Sequence, residues 1–168
     1  GVVERGSELG PALVEEGDLI VGLLSPNLRS NGFSLVRALF GDDVDSHFDL
    51  FLEPSVIYSP DVLRAVNGGG VHAAAHITGG GLPGNLVRTL PVGLGAHVET
   101  GAWEVPQVFE TVESRGVTRA EMWSTFNMGI GFCLVVAREA AESVISSVSA
   151  HQGRVIGKIV TGDGVALR

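Results

Sequence analysis

The residues of this chain that could do chemistry gather around glycine. Thr78-Gly79-Gly80-Gly81 follows an apolar run and opens a segment, Leu82 to Leu90, with a helical pattern closed by Pro91. Glycines in that place let a ligand come close to the backbone, and a helix start offers unpaired N–H groups to an anion. Ser30-Asn31-Gly32 repeats the arrangement, again between an apolar run and a helical stripe, with Ser or Asn as the expected N-cap. Two such turns predict a phosphate-binding edge, with Arg29 adding a cation. Taken singly, each could equally be a turn that only needs glycine. A third segment, Thr125-Phe126-Asn127-Met128-Gly129-Ile130-Gly131, leads into an apolar run and offers Asn127 as a buried polar contact to a ligand.

Other chemistries find less support. His72 and His76 in His-Ala-Ala-Ala-His invite a metal reading, but the helical zinc motif needs Glu where Ala73 stands. The segment reads as a strand, where positions four apart share a face yet lie too far apart to chelate one ion. Packed or hydrogen-bonded histidines are the expectation, with no metal ligands assigned. Cys133 sits in the middle of an apolar run and is expected to pack there; as the single cysteine it forms no internal disulfide. Lysine occurs once, at Lys158, and no GxxxxGK[ST] pattern exists, which excludes a Walker-type phosphate loop. An anion here would meet arginine, backbone N–H groups or a metal. No Ser/His/Asp set has diagnostic spacing, so the catalytic acid and base stay unassigned.

Strands and helices must hold those turns. Short apolar runs predict strands near residues 19–24, 71–77, 96–99, 129–137 and 155–160. Helical spacing predicts elements after Ser30-Asn31 (Phe33, Leu35, Val36, Leu39, Phe40), after Pro54 (Val56, Ile57, Val62, Leu63, Val66), after Gly81, around Val108, Phe109 and Val112, and after Arg138 (Ala141, Val144, Ile145, Val148). Alternating strands and helices give an α/β or α+β layer, a mixed sheet with helices mainly on one face. Residues 1–16 close no element of their own and read as a trailing strand or linker ahead of a domain spanning 17–168.

The 168 residues amount to one domain at roughly 150 residues per domain. With 45% apolar and 18% charged residues and a mean hydropathy of +0.31, the chain is not a disordered tail. A net charge of −8 argues against nucleic acid or an anionic membrane as partner. No apolar run approaches the roughly 18 residues of a membrane span, and no basic-then-apolar leader opens the chain. The expectation is a soluble cytoplasmic protein. Glycine stands out at 24 residues, about twice the usual share of roughly 7%.

Ser30 to Arg37, then His76-Ile77-Thr78-Gly79-Gly80-Gly81-Leu82 with Asn85, Arg88 and Pro91, then Thr125 to Gly131 occur in this order in one family. From about Gly17 to its end the chain resembles the C-terminal domain of the phosphoribosylformylglycinamidine cyclo-ligase (AIR synthetase) family. The resemblance implies an ATP-dependent ligase of purine biosynthesis that converts formylglycinamidine ribonucleotide to aminoimidazole ribonucleotide. It implies ATP and Mg²⁺ sites mainly in an N-terminal domain outside this chain, a homodimer of the full-length protein, and an isolated C-terminal half that folds without catalysing. A diverged paralogue that binds a nucleotide or sugar phosphate without turnover is the alternative.

Three positions depart from the family's pattern. Arg29 stands where the family usually has a His able to transfer a proton, and arginine cannot deprotonate at neutral pH. Val56 replaces a basic residue, and Gly84 an acidic one. The phosphate-binding set expected on these grounds is Arg29, Ser30, Asn31, Gly32, Thr78, Gly79, Gly80, Gly81 and Asn127.

Overall fold

The apolar runs pair into one six-stranded mixed sheet in the computed structural model, which describes residues 2–168. In chain order the elements are β1 (Leu19–Leu24), α1 (Phe33–Phe40), α2 (Phe48–Phe51), α3 (Ser59–Gly68), β2 (Val71–His76), α4 (Gly81–Leu86), β3 (Leu94–Val98), α5 (Gln107–Glu113), α6 (Arg119–Thr125), β4 (Ile130–Val136), α7 (Ala141–Ser147), β5 (Arg154–Thr161) and β6 (Val165–Leu167). Single 3₁₀ turns fill several of the gaps. The strands lie in the order β2-β4-β1-β5-β3-β6. All neighbours are antiparallel except β3 and β6.

β4 shows why a continuous apolar run signals a central strand. It pairs on both sides, with Leu134 opposite Val21 of β1 and Ala74 of β2, and its side chains meet packed layers on both faces. Alternation along β1 sends Ile20 to the larger layer and Val21 and Leu23 to the smaller. The larger layer holds Val36 and Phe40 of α1, Leu82 and Leu86 of α4, Phe109 of α5, and Met122 and Trp123 of α6. The smaller holds Val62 and Ala65 of α3 and Val144 of α7. Most helices therefore share one face, as the alternating pattern requires.

The local differences have physical causes. α1 is entered through Gly32 in the left-handed region (φ 76°), with no side-chain cap from Ser30 or Asn31. α3 begins at Ser59, so Val56 and Ile57 precede it; Pro60 suits the helix start because its missing N–H would be unpaired there anyway. α2, α6 and β6 escape the periodicity argument because each is short. α6 did carry a capping signal: the Thr118 Oγ1 accepts from the Glu121 N–H at 3.2 Å, satisfying an orphan donor of the first turn.

Pairing direction fixes what gathers at each edge of the sheet. β1 and β2 both run opposite to β4, so the segments leaving them, 25–32 and 77–81, lie where β4 begins after Asn127-Met128-Gly129. β5 starts at that edge after 151–153, and β3 ends there ahead of 99–107. The three sequence segments predicted to carry chemistry therefore share one sheet edge.

Candidate functional site

The two glycine turns meet at the end of α6. A Cβ on Gly32 would fall 2.0 Å from the Phe126 ring, and one on Gly81 would fall 1.9 Å from the Trp123 carbonyl and 3.0 Å from that of Phe126. Gly81 also has φ +63°. Both glycines are demanded by packing, and Phe126, fully buried, is the common support. Gly80 needs only its backbone angle, φ +96°, since its Cβ would lie no nearer than 3.9 Å to any atom. Gly79 needs neither: its φ is not left-handed, and a Cβ would meet nothing within 4 Å.

Asn85 of α4 holds the turn from behind. Its amide nitrogen donates to the carbonyls of Thr78 (3.2 Å), Gly79 (3.3 Å) and Gly81 (2.7 Å), and its oxygen accepts from the Thr78 hydroxyl at 3.2 Å. With these carbonyls claimed from inside, the N–H groups of Thr78, Gly79 and Gly80 find no acceptor among the described residues. Gly79 and Gly80 are exposed. Consecutive free N–H groups in a turn containing a left-handed residue form an anion-binding concavity.

Arg29 (φ 58°) sends its side chain toward the root of this turn. One terminal nitrogen donates to the carbonyls of Ile77 (3.1 Å) and Gly131 (2.8 Å), and the other to His76 Nε2. A guanidinium only donates, so His76 accepts at Nε2 and carries its proton on Nδ1. Burial, and then the Arg29 charge, lower the His76 pKa, keeping the ring neutral. Burial also lowers Arg29, opposed by Tyr58. The Arg29 guanidinium lies 5.5 Å over the Tyr58 ring, and the Tyr58 hydroxyl donates to the Leu24 carbonyl at 2.7 Å. Tyr58 is raised chiefly by burial, against the hydrogen bond with Ser25 and the Arg29 charge.

Asn127 lies behind the face. Fully buried, its amide nitrogen donates to the Asn27 carbonyl at 2.9 Å and its oxygen accepts from the Gly129 N–H at 2.8 Å. Asn27 in turn accepts from the Arg29 N–H at 3.1 Å and donates to the carbonyls of Glu53 and Pro54. The two asparagines tie the segment after β1 to the one before β4. Ser30 is exposed, and Asn31 and Gly32 are half-buried beside the entry to α1.

Sequence reasoning missed a cleft of about 770 Å³ farther along the same edge. Ser25, Trp103, Gln107, Gly129, His151 and Arg154 line it, brought together by the neighbours β4, β1, β5 and β3. The one signal available was glycine before β4. The Trp103 indole N–H donates to the Met128 carbonyl at 2.8 Å, holding a non-glycine residue at φ 50°. Left-handed backbone at such a residue costs about 1–2 kcal/mol.

The histidines of the His-Ala-Ala-Ala-His segment are on a strand, as expected, with separate partners. His72 Nδ1 lies 2.8 Å from the buried Asp18 carboxylate at the opposite end of β2 from the glycine turn, and His76 meets Arg29. Among the described residues no group of three or more His, Cys, Asp or Glu side chains is placed to hold a metal ion. Cys133 is fully buried in the core, and burial pushes its thiol up to about 12. No helix among the described residues is long and apolar enough to cross a membrane.

Residues 15–168 match the family described as AIR synthase related protein, C-terminal domain. The chain is 39% identical over 180 residues to the phosphoribosylformylglycinamidine cyclo-ligase of Bacillus subtilis (strain 168), covering 98% of this chain and 52% of that protein. It spans about half the length of the curated relatives it matches. Among solved structures, the hydrogenase maturation protein HypE of E. coli superposes with a TM-score of 0.69 at 22% identity, over 99% of this chain and 51% of that one. PurL of T. maritima, complexed with ADP, gives 0.61 at 16% identity, over 100% of this chain and 25% of that one. At those identities the structural likeness speaks for the fold.

Proposed function

The chain belongs to the AIR synthase related protein C-terminal domain family, and from that premise we propose that it is the C-terminal half of an ATP-dependent phosphoribosylformylglycinamidine cyclo-ligase. Residues 17–168 form the domain, and 1–16 are the strand or linker that enters it from an N-terminal domain. That N-terminal domain carries most of the ATP and Mg²⁺ contacts and the homodimer contact. An aqueous compartment, the cytoplasm, goes with a phosphorylated substrate of this class.

The reaction closes a ring. The γ-phosphoryl group of ATP passes to the formyl amide oxygen, forming an O–P bond as the bond to ADP breaks. The amidine nitrogen then attacks the activated carbon, the C–O bond breaks, inorganic phosphate leaves and the nitrogen loses a proton. Mg²⁺, when bound, offsets charge on the phosphoryl oxygens. This chain holds an anionic group of the substrate: the free N–H groups of Thr78, Gly79 and Gly80 receive it, with Ser30, Asn31 and Gly32 beside them. Arg29 contributes positive charge from the root of the turn, and Asn127 keeps the adjoining segment in register.

The observation that carries this reading is the row of unclaimed N–H groups on a turn whose carbonyls Asn85 holds from behind. One observation favours the alternative, a binding paralogue without turnover. Arg29 stands at the family's His position and gives two of its donors to backbone carbonyls, so the side chain at that position transfers no proton at neutral pH. Turnover by the full-length protein with formylglycinamidine ribonucleotide, ATP and Mg²⁺ separates the two. Aminoimidazole ribonucleotide formation supports the ligase, and substrate binding with no product supports the paralogue. The 168-residue chain alone should form no product above a no-protein control.

A further inference from the structure

Thr78-Gly79-Gly80-Gly81 is closed by the Gly81 N–H, which donates to the Thr78 carbonyl at 3.1 Å, and Gly80 sits at φ 96°, ψ −2°. That is a type II turn, whose third residue has φ of about +80°. A type I turn closes with the same hydrogen bond but has its middle peptide flipped, with φ of about −90° at the third residue. The middle peptide here joins Gly79 to Gly80 and carries the Gly79 carbonyl on one side and the Gly80 N–H on the other. Its orientation decides whether the turn shows a ligand a donor or an acceptor.

Few contacts fix that peptide. Both residues are glycine, so no side chain opposes the flip. A Cβ on Gly79 would meet no atom within 4 Å, and one on Gly80 none nearer than 3.9 Å. The Thr78 carbonyl is held twice, by the Gly81 N–H and by Asn85. The Gly79 carbonyl has a single partner among the described residues, the Asn85 amide nitrogen at 3.3 Å. Pro83, four residues on, has no N–H to offer it. Asn85 is only 6% exposed, and the Thr78 hydroxyl on its amide oxygen keeps the nitrogen aimed at the turn.

We infer that Asn85 is a positioning residue: it selects the type II form with the Gly80 N–H outward, and without it the Gly79–Gly80 peptide flips and meets the ligand with a carbonyl oxygen. The inference rests on the reading of this turn as an anion site. Leucine at position 85 would set an apolar group against the Gly79 carbonyl, and an unpaired carbonyl costs more than one facing water. Asn85→Leu is therefore tested in two measurements. In the ¹⁵N-labelled chain, the type II form puts the Gly80 amide proton close to the Gly79 Cα protons, and the type I form puts it close to the Gly79 amide proton. The nuclear Overhauser contact between the two amide protons should be weak in wild type and strong in the variant. In the full-length protein, affinity for formylglycinamidine ribonucleotide should fall at least about tenfold, as when one molecule in ten keeps the N–H outward. A merely structural support would lower the unfolding midpoint and leave both readouts of the folded protein unchanged, which overturns the inference. Wild-type affinity in a variant whose peptide has flipped overturns it too. Asn85→Asp keeps the size and the Thr78 bond but sets a carboxylate against the Gly79 carbonyl, so it should show the same amide contact if the leucine variant does not fold. A wild-type contact pattern in folded Asn85→Asp overturns the inference. A flipped peptide in the variants of a protein whose wild type binds no ribonucleotide supports the hold of Asn85 and refutes the anion reading of the turn.

Discussion

Gly79→Ala separates a ligand-binding turn from a merely tight one, because the two readings differ in sign. If glycine serves only the fold, alanine should do harm or nothing. Yet Gly79 lies outside the left-handed region, and its Cβ would project into open space with no atom within 4 Å. Alanine at such a position restricts the unfolded chain and stabilises by about 0.4–1 kcal/mol. For a domain of this size that raises Tm by about 1–4 °C. The same methyl group would stand beside the free N–H groups of Gly79 and Gly80. Loss of one charge-assisted hydrogen bond, worth about 1.5–3 kcal/mol, weakens anion binding by roughly 10- to 100-fold. The assay is thermal unfolding of the chain beside titration of the full-length protein with formylglycinamidine ribonucleotide. Gly81→Ala is the contrast: a left-handed angle and a Cβ 1.9 Å from the Trp123 carbonyl together cost about 2–5 kcal/mol. A higher Tm with unchanged affinity in Gly79→Ala would refute the anion site, and a lower Tm would refute the geometry behind it.

Other expectations follow from the same contacts. Arg29→Met leaves the carbonyls of Ile77 and Gly131 without their guanidinium donor and should lower stability by about 2 kcal/mol in urea unfolding. It also removes the charge beside His76, so the His76 pKa, followed by NMR, should rise toward its ordinary value; no change would show that burial alone depresses it. Gly84→Ala, in a helical position with no atom within 4 Å of the new Cβ, should stabilise by up to about 1 kcal/mol, and a loss would mean that the α4 backbone needs glycine there. Cys133 binds its proton more tightly folded, at about 12, than unfolded, near 9.0. The unfolded state therefore loses that proton first, and stability should fall as pH rises from about 9 toward 12. Urea midpoints of wild type and Cys133→Ala across that window should converge, and parallel curves would contradict the buried-thiol assignment.

Much of the fold was legible because burial leaves a one-dimensional trace. The run from Ile130 to Val136 faces packed layers on both sides, so every position is apolar or small, and no register argument is needed to place it centrally. β6 left no such trace, since three residues alternate too briefly to stand out. α6 could have been found from Thr118 and Glu121, a capping pair three residues apart, had caps been weighed before apolar spacing.

The site divides along the same line. Strand, glycine, helix is a local pattern, so both turns could be read without knowing that Phe126 stands between them. What a side chain points at is not local. Arg29 reads as a cation for an anion, and folding draws two of its donors to the carbonyls of Ile77 and Gly131, 48 and 102 residues away, because strand ends leave such groups in need of partners. Asn85 is an ordinary helix residue until α4 folds back and its amide claims three carbonyls of the preceding turn. Arg154 and His151 join the same edge as Ser25 only because β5 pairs with β1 across more than a hundred residues of chain. Positions recognisable from sequence are those where the backbone itself would contact a ligand. Those that escaped are side chains delivered by strand order, and in this protein both kinds meet on one edge of the sheet.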